Sequence, residues 1–388
     1  MSLIQTTSEL KALCSPLAHE PFIAVDTEFI REKTYYPQLC ILQVAAPGGA
    51  CFAVDVLAEG MNLQPLYALF DNPKVVKVFH ACRQDIEIIL HRHGKIPFPL
   101  FDTQVAAMVC GFGDSASYGA LAEKYLGIEI DKSHRFTNWA RRPLSKEQYD
   151  YALNDVRHLC DIYQRIDHEL KESGRDAWVA EEMANLQNKD VYITDVEEVW
   201  KKMRLRSHAK CFTHRVKELA KWREIQAQHM DVPRGFVLKD NVLLEIAAAA
   251  PQTIDELMEI RAIPEDLLLT PFATEVLDII AKINAVEPDD LPTLVERSHT
   301  PSHIKPVVEL LRLLLKQQCM VSHVAEKLVA NDDDLHVIAK DEDSHSPSVP
   351  AMYGWRYEIF GKFAMELKKG NMAFTLRDGK IVVIPLKR

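Results

Sequence analysis

The sequence predicts a multidomain fold in which an α/β domain is followed by all-α domains. Three observations support this prediction. Short runs rich in Val, Ile and Phe, which are typical of strands, occupy the first 80 residues. Helical periods begin at about residue 85, and after about residue 175 nearly every segment is helical. The length of 388 residues is sufficient for two or three domains.

Four strands are predicted near the start of the chain. They cover residues 22–29, 40–46, 50–56 and 75–80, and Pro-Gly-Gly at 47–49 predicts a tight hairpin between the second and third. Strand side chains alternate between two faces, so Asp26 and Glu28 share one face of the first strand. Two neighbouring carboxylates in an apolar strand repel each other, and they need a positive partner.

Several helices are predicted after these strands. One begins at Asp85 and ends at Gly94, another begins at Thr103, and "YGALAEKYLG" is a third. Residues 144–174 predict a single long helix, in which Ser145 and Gln148 form a capping box and Gly174 terminates the helix.

The rest of the chain is predicted to be helical up to a final hairpin. Thr253 and Glu256 predict another capping box, and Asp378-Gly379 between alternating apolar residues predicts a two-residue turn. We therefore expect an α/β domain at 1–175, a helical connector at 176–208, a helical domain at 209–288 and a second helical domain with the hairpin at 289–388.

The composition indicates a soluble globular protein. Hydrophobic residues make up 47% and charged residues 26% of the chain, and no apolar run is long enough to span a bilayer. The first residues lack the pattern of a secretory signal. The eight cysteines never occur at CxxC spacing, which argues against a zinc site built on such a pair and against a disulfide framework. We expect a cytoplasmic protein without a membrane partner.

The formal net charge of −10 counts against a nucleic-acid partner, but the charge is unevenly distributed. Residues 201–223 contain nine basic residues and one acidic residue, so this run has a local charge of +8. Residues 132–142 contain four basic and no acidic residues, with Phe136 and Trp139 among them. Basic grooves with aromatic side chains are typical of single-stranded RNA binding, although each run alone also fits a solvated face.

Four carboxylates and one tyrosine form the candidate catalytic set. Singly they have ordinary explanations, since Asp85 fits a helix N-cap and Asp26 with Glu28 fits a solvated strand end. Tyr151 and Asp155 are four residues apart and share a helix face. The order D-x-E, Asp, Y-x-x-x-D is more specific, since two hard cations such as Mg²⁺ or Mn²⁺ need this number of acidic ligands.

These motifs resemble a known family. "DTEF", "TYYPQLCILQVA", "HACRQDIEII", "FDTQVAA" and "DKSHRFTNWARRPLSKEQYDYALNDV" are similar to ribonuclease D, in the tyrosine-containing subgroup of the DEDD superfamily of 3′–5′ exonucleases. The resemblance implies a ribonuclease H-like domain, a mixed sheet flanked by helices. Residues 216–260 resemble an HRDC domain, a helical nucleic-acid-binding module, and the family implies a second HRDC-like unit after about residue 290. Trp222, Arg223, Pro233, Leu243, Ala247 and Pro251 carry the HRDC match.

The resemblance also implies a mechanism. RNA would be hydrolysed from its 3′ end with the help of two divalent ions, releasing nucleoside 5′-monophosphates. Asp26 would bridge both ions, Glu28 and Asp155 would complete the first metal site, Asp85 would support the second, and Tyr151 would orient the attacking water.

The same resemblance gives the basic runs a partner, an RNA with a single-stranded 3′ end such as a transfer-RNA precursor, bound by a monomer. The candidate RNA-contacting residues are His80, Lys132, Arg141, Arg142, Lys201, Lys202, Arg204 and Arg206.

Three other functions fit parts of the sequence. "GFGDSA" at 111–116 matches a dinucleotide-binding pattern but follows a helical segment, so an oxidoreductase is disfavoured. A DNA exonuclease of the same superfamily would share the chemistry. A non-catalytic RNA-binding protein is disfavoured because all five catalytic positions are intact.

Overall fold

The computed structural model describes residues 3–130, 137–261, 263, 271–294, 301–341 and 348–386. These residues form two compact units. Unit 1 comprises the described residues of 1–28, 40–189 and 299–388. Unit 2 comprises those of 29–39 and 190–298.

A six-stranded mixed sheet forms the centre of the α/β part. Its strands are β1 (Leu3–Ile4), β2 (Phe22–Ile30), β3 (Gln38–Ala45), β4 (Cys51–Asp55), β5 (Val76–Phe79) and β6 (Leu100–Asp102). Their order is β1-β4-β3-β2-β5-β6. The β3–β4 pair is antiparallel, and β1–β4, β2–β5 and β5–β6 are parallel. The four predicted strands and the hairpin at 47–49 are confirmed.

Among the described residues, eight helices belong to this α/β part. They are α1 (Thr7–Leu17), α2 (Gln64–Phe70), α3 (Arg83–His93), α4 (Thr103–Val109), α5 (Tyr118–Leu126), α6 (Lys146–Arg157), α7 (Leu159–Ser173) and α8 (Asp176–Leu186). The apolar faces of α4, α5, α7 and α8 share one core, to which Leu121, Ile166 and Met183 contribute. Because α8 packs into this core, the first helix after residue 175 is part of unit 1.

The prediction of one long helix at 144–174 is wrong. The segment forms α6 and α7, which are separated at His158, where φ is −97° and ψ is −7°. The predicted ends are confirmed, because Ser145 and Gln148 form both bonds of a capping box and Gly174 ends α7 in the left-handed conformation. The break occurs without glycine or proline, so the sequence contained no local indication of it.

Unit 2 is a helical bundle. Its helices are α9 (Lys210–Met230), α10 (Arg234–Val237), α11 (Asp240–Ala249), α12 (Ile254–Met258) and α13 (Pro271–Asn284). Val216, Leu243 and Ile280 are fully buried in their common core. Thr253 caps α12, as predicted, but Glu256 accepts from the backbone N–H of Gln252, one residue before the expected donor.

The C-terminal residues of unit 1 form a second helical cluster and a hairpin. The helices are α14 (Lys305–Ser322), α15 (Glu326–Val329), α16 (Asp332–Lys340), α17 (Gly354–Arg356) and α18 (Lys362–Lys368), with a π-helical turn at Tyr357–Gly361. The hairpin pairs β7 (Met372–Arg377) with β8 (Lys380–Pro385). Asp378 and Gly379 both have positive φ, which the predicted turn requires.

This C-terminal cluster is attached to the α/β part at the C-terminal end of α4. The Arg175 guanidinium donates to the carbonyl oxygens of Val109, Ser322 and His323 at 2.8, 2.6 and 2.9 Å. The N–H of Ala325 donates to the carbonyl of Met108. The last turn of α4 therefore bonds both to Arg175 and to the N-cap residue of α15.

Aromatic and charged contacts extend this attachment. Trp178 on α8 stacks on Trp355 with ring centroids 4.5 Å apart. Arg356, which is nearly buried, forms ion pairs with Glu181 and Glu182. Among the described helices, none is long and apolar enough to cross a membrane.

Candidate active site

Three carboxylates meet where β2 passes α6. Asp26 and Glu28 lie two residues apart on β2, and Asp155 lies in the third turn of α6. One oxygen from each side chain lies within 4.8 Å of the other two. All three side chains are half-buried, so the cluster is open on one side. The apolar residues around it, Ala24 on β2 and Val156 on α6, pack into one core and hold the two elements together.

The cluster is electrostatically unfavourable without a cation. Burial, and then the negative charge of Asp155, raises the pKa of Asp26 well above its usual value. Hard divalent cations prefer carboxylate oxygens and would remove this repulsion. The donor set is all oxygen and lacks Cys and His, so these residues fit Mg²⁺ or Mn²⁺.

Asp85 lies beside the cluster. It is the third residue of α3, whose N-cap is Cys82, so the alternative interpretation of Asp85 as an N-cap is wrong. Only 6% of Asp85 is exposed, and it accepts a hydrogen bond from the Thr27 hydroxyl. Burial, and then the charge of Asp26, raises the pKa of Asp85 well above its usual value. Asp85 therefore interacts electrostatically with Asp26, although it lies outside the three-carboxylate group.

Tyr151 lies on α6 one turn before Asp155. Its ring is tilted against Trp139, with centroids 6.1 Å apart. Trp139 is only 2% exposed, so this aromatic residue of the 132–142 run packs inside the protein, on one side of Tyr151.

Tyr118 is part of this surrounding, and the sequence did not indicate it. It is the first residue of α5, and its hydroxyl donates to the backbone carbonyl of Asn154 at 2.9 Å. Burial, followed by the charge of Asp155, raises the pKa of the Tyr118 hydroxyl. Tyr118 thus connects α5 to the turn of α6 that carries Asp155, a contact between segments that no sequence motif links.

His80 is held inside the protein. Its Nδ1 lies 3.0 Å from Oγ1 of Thr103, whose hydroxyl donates to the carbonyl of Phe79. Nδ1 is therefore the donor to Thr103. Burial lowers the pKa of His80, while Asp102 and the carbonyl of Ala116 act in the opposite direction. These partners favour the structural interpretation of His80.

The basic residues at 132–142 have different surroundings. Arg142 binds both oxygens of Asp55, with Nη2–Oδ1 at 2.6 Å and Nε–Oδ2 at 2.8 Å, and it also donates to the carbonyl of Cys40. Its donors are therefore used within the fold. Arg141 is exposed, and Lys132 lies outside the described residues.

The run at 201–223 is partly neutralised. Lys217 and Lys221 both pair with Glu197, which precedes the run, and Arg223 pairs with Asp240, which follows it. Lys201 pairs with Glu198. The four residues predicted to contact RNA are all exposed, namely Lys201, Lys202, Arg204 and Arg206.

Comparison with known proteins connects this site to a family. Residues 1–171 match the family of 3′–5′ exonuclease domains, and residues 212–288 match the HRDC domain. The chain is 43% identical over 382 residues to ribonuclease D of Nitrobacter hamburgensis, covering 98% of this chain and 99% of that one. It is 43% identical over 385 residues to ribonuclease D of Jannaschia sp., covering 98% of each protein.

A solved structure agrees in fold. The chain superposes on Escherichia coli RNase D, described as an exoribonuclease involved in structured RNA processing, with a TM-score of 0.79 and 26% identity. The match covers 95% of this chain and 98% of that chain. The predicted fold, an exonuclease domain with a mixed sheet flanked by helices and then an HRDC domain, is confirmed. The chain belongs to the ribonuclease D family of exoribonucleases.

Proposed function

We propose that this enzyme is a two-metal 3′–5′ exoribonuclease that releases nucleoside 5′-monophosphates. The observation that supports the proposal is the approach of Asp26, Glu28 and Asp155 to within 4.8 Å of one another on a half-open surface. Three carboxylates at this separation destabilise the protein unless a cation binds them. Proteins retain such an unfavourable cluster where it has a function. In a hydrolase that needs divalent ions, the carboxylates would have both a bound cation and a function.

Each acidic residue has its own role in this proposal. Asp26 would hold both ions, because it interacts electrostatically with both Asp85 and Asp155. The charge of Asp26 raises the pKa of Asp85, and the charge of Asp155 raises the pKa of Asp26. Glu28 and Asp155 would complete the first ion site, and Asp85 would support the second. Bound ions would lower the pKa of the attacking water and would place positive charge beside the leaving 3′ oxygen.

Tyr151 would orient the attacking water. Tyr151 lies one turn before Asp155 and so shares a helix face with this proposed metal ligand. Trp139, packed against its ring, restricts the rotation of the side chain. A fixed phenol can accept or donate one hydrogen bond to the water and so limit the directions from which the water approaches phosphorus.

The proposed substrate is RNA with a single-stranded 3′ end, and transfer-RNA precursors are the proposed physiological class. The Escherichia coli relative, involved in structured RNA processing, supports this choice. Arg141 and the exposed Lys201, Lys202, Arg204 and Arg206 are the proposed phosphate contacts. We also propose that the enzyme acts as a monomer. Its eight free thiols suit the reducing cytoplasm.

The deciding experiment uses a 5′-labelled RNA with a single-stranded 3′ tail, incubated with Mg²⁺ or Mn²⁺. The expected result is a ladder that shortens from the 3′ end and is absent with Asp26→Ala or with chelator. A matched DNA oligonucleotide separates RNA from DNA exonuclease activity. RNA binding without any shortening would contradict the proposal and favour a non-catalytic RNA-binding protein.

A further inference from the structure

The segment between β2 and β3 packs with unit 2. Residues 29–39 belong to this unit, although they interrupt the sequence of the α/β domain. The segment begins with the residue that follows Glu28, so it is continuous with the strand that carries Asp26 and Glu28. The contacts of this segment therefore bear on how firmly the end of β2 is held.

Tyr35 makes the main contact in this segment. Its hydroxyl donates to the carboxylate of Glu224 on α9. The side-chain amide of Gln228 donates to the same hydroxyl at 3.2 Å, and Oγ1 of Thr194 lies 3.3 Å away. The ring itself packs against the apolar core of unit 2. Burial, followed by the bond to Glu224, raises the pKa of Tyr35, so it remains a donor at neutral pH.

Glu224 needs this partner. It is 1% exposed, and a buried carboxylate is costly unless hydrogen bonds satisfy it. Arg234 also pairs with Glu224, but it is 3.5 Å away and half-exposed, which makes the interaction weak. Helix α9 thus carries a buried acceptor, and a residue from the α/β part of the sequence, 189 positions earlier, supplies the proton.

Further bonds make the segment itself rigid. The Arg31 guanidinium donates to the carbonyl of Tyr35 at 3.2 Å, which closes the loop from the end of β2. The Thr34 hydroxyl donates to the carbonyl of Tyr36 at 2.6 Å. The N–H of Tyr36 donates to Oδ1 of Asp231, just after α9. Hydrogen bonds therefore connect successive residues of this segment, from Arg31 onward, to the residue that follows α9.

We propose that Tyr35 is a positioning residue for the proposed metal site: by binding Glu224 it fixes the segment after Glu28 and thereby the carboxylates at the end of β2. This inference rests on the proposed function. It implies that the HRDC domain also acts on the metal site through the chain, in addition to any contact it makes with RNA. A residue that orients a ligand without touching the metal commonly changes metal affinity about tenfold.

The test measures Mn²⁺ binding to the full chain by calorimetry, without RNA, for wild type, Asp26→Ala, Tyr35→Phe and Tyr353→Phe. Tyr353 is an exposed tyrosine of the C-terminal cluster and serves as the matched control. We expect Tyr35→Phe to weaken Mn²⁺ binding about tenfold and to raise the Mg²⁺ concentration needed for turnover, with the KM for RNA nearly unchanged. Tyr353→Phe should bind Mn²⁺ as wild type does.

Glu224→Gln and its combination with Tyr35→Phe complete the test. Glutamine keeps an acceptor oxygen for the Tyr35 hydroxyl, so Glu224→Gln should weaken Mn²⁺ binding less than Tyr35→Phe. The double variant should bind Mn²⁺ no more weakly than Tyr35→Phe, because Tyr35→Phe already removes the hydroxyl through which Glu224 acts.

The outcomes separate this proposal from the proposed function. Unchanged Mn²⁺ affinity in Tyr35→Phe, with the affinity lost in Asp26→Ala, would overturn the positioning role alone. The same unchanged affinity with a lower melting temperature would assign Tyr35 to the stability of unit 2. Unchanged affinity in Asp26→Ala would contradict the proposed metal site itself.

Discussion

The hydroxyl of Thr27 donates a hydrogen bond to Oδ1 of Asp85, although 58 residues separate them in the sequence. Thr27 lies between Asp26 and Glu28 on β2, so this bond ties α3 to the strand that carries two of the three clustered carboxylates. The bond also lowers the pKa of Asp85, which burial and the charge of Asp26 raise. The threonine of "DTEF" therefore has an electrostatic role as well as a structural one.

Replacing this threonine tests that role. Thr27→Val keeps the shape of the side chain but removes the donor, so the pKa of Asp85 should rise. In our proposal, Asp85 supports metal binding only when it is ionised. The acidic limb of the pH profile for nucleotide release should therefore move to higher pH. Thr27→Ser, which keeps the hydroxyl, is the control, and identical profiles for the two variants would contradict this role.

Asp26→Asn should increase the stability of the metal-free protein while it abolishes activity. The substitution removes one of the clustered negative charges, and we expect a gain of about 1–2 kcal/mol in the free energy of unfolding with chelator present. Saturating Mg²⁺ should then stabilise wild type by about 2–3 kcal/mol and the variant hardly at all. Urea denaturation with and without Mg²⁺ measures both effects. A variant that is less stable than wild type in chelator would contradict the repulsion that we infer.

The metal-free protein should lose stability as pH rises through the acidic range. The folded-state pKa of Asp26 and of Asp85 is raised, so the folded protein binds more protons than the unfolded chain between the ordinary carboxyl pKa and the raised value. The contribution of these protons is complete below pH of about 4 and disappears as pH rises through the folded pKa. Unfolding in chelator across this range should show the slope, and Asp26→Asn should reduce it.

The sequence predicted which of the candidate residues share a face because its elements obey simple periods. Asp26 and Glu28 are two residues apart on a strand, and Tyr151 and Asp155 are four apart on a helix, so each pair shares a face before any tertiary contact is known. The Gly174 stop and the Asp378-Gly379 turn were predictable because their conformations have few alternatives.

The parts that could not be predicted depend on contacts between distant segments. Tyr118 approaches Asp155 from another helix, and Tyr35 reaches Glu224 across 189 positions. No glycine or proline marks the break between α6 and α7 at His158. Arg142 counts as a surface charge in the sequence, but the structure surrounds it with Asp55 and three backbone carbonyls. Tertiary packing, which a period does not encode, decided each of these cases.

Tyr151→Phe should slow the reaction without weakening metal binding. The phenol hydroxyl orients the attacking water in our proposal, and such contributions are worth about tenfold or more in rate. Single-turnover release of the 3′ nucleotide measures the loss, and calorimetry with Mn²⁺ measures binding. Tyr149→Phe is the matched control on the same helix, because the Tyr149 hydroxyl is buried without a hydrogen-bond partner among the described residues. Equal rates for the two variants would remove Tyr151 from the mechanism.

Neutralising Lys201, Lys202, Arg204 and Arg206 should weaken RNA binding in a salt-dependent way. Removing one basic side chain that neutralises a phosphate of a single strand lowers the slope of log K against log salt by about 0.7. Neutralising Lys217 and Lys221 instead should change the slope less, because both lysines already pair with Glu197. Binding to a fluorescent RNA at several salt concentrations measures the slopes. An unchanged slope in the first variant would make these four residues structural.

Alanine substitutions at two glycines of the "GFGDSA" segment distinguish the free-energy cost of backbone strain from the cost of displacing a neighbouring residue. Gly111 and Gly113 have nearly equal φ values of +85° and +84°, so alanine is strained at both positions by about 1–2 kcal/mol. They differ in surroundings, because a Cβ on Gly111 would lie 2.9 Å from the carbonyl oxygen of His323, whereas a Cβ on Gly113 would meet nothing within 4 Å. That carbonyl also accepts from Arg175, so a shift of His323 would disturb the attachment of the C-terminal cluster.

Gly111→Ala should therefore destabilise the protein more than Gly113→Ala, by about 1–3 kcal/mol beyond the shared backbone cost. Thermal unfolding compares the two variants directly, and limited proteolysis reports whether the C-terminal cluster is released. Arg175→Ala should expose the same cleavage sites, because it removes three hydrogen bonds to backbone carbonyls of the two parts. Equal melting temperatures for the two alanine variants would mean that the close approach at Gly111 does not hold the cluster. In that case the stacked Trp178 and Trp355, with the ion pairs of Arg356, would be its main attachment.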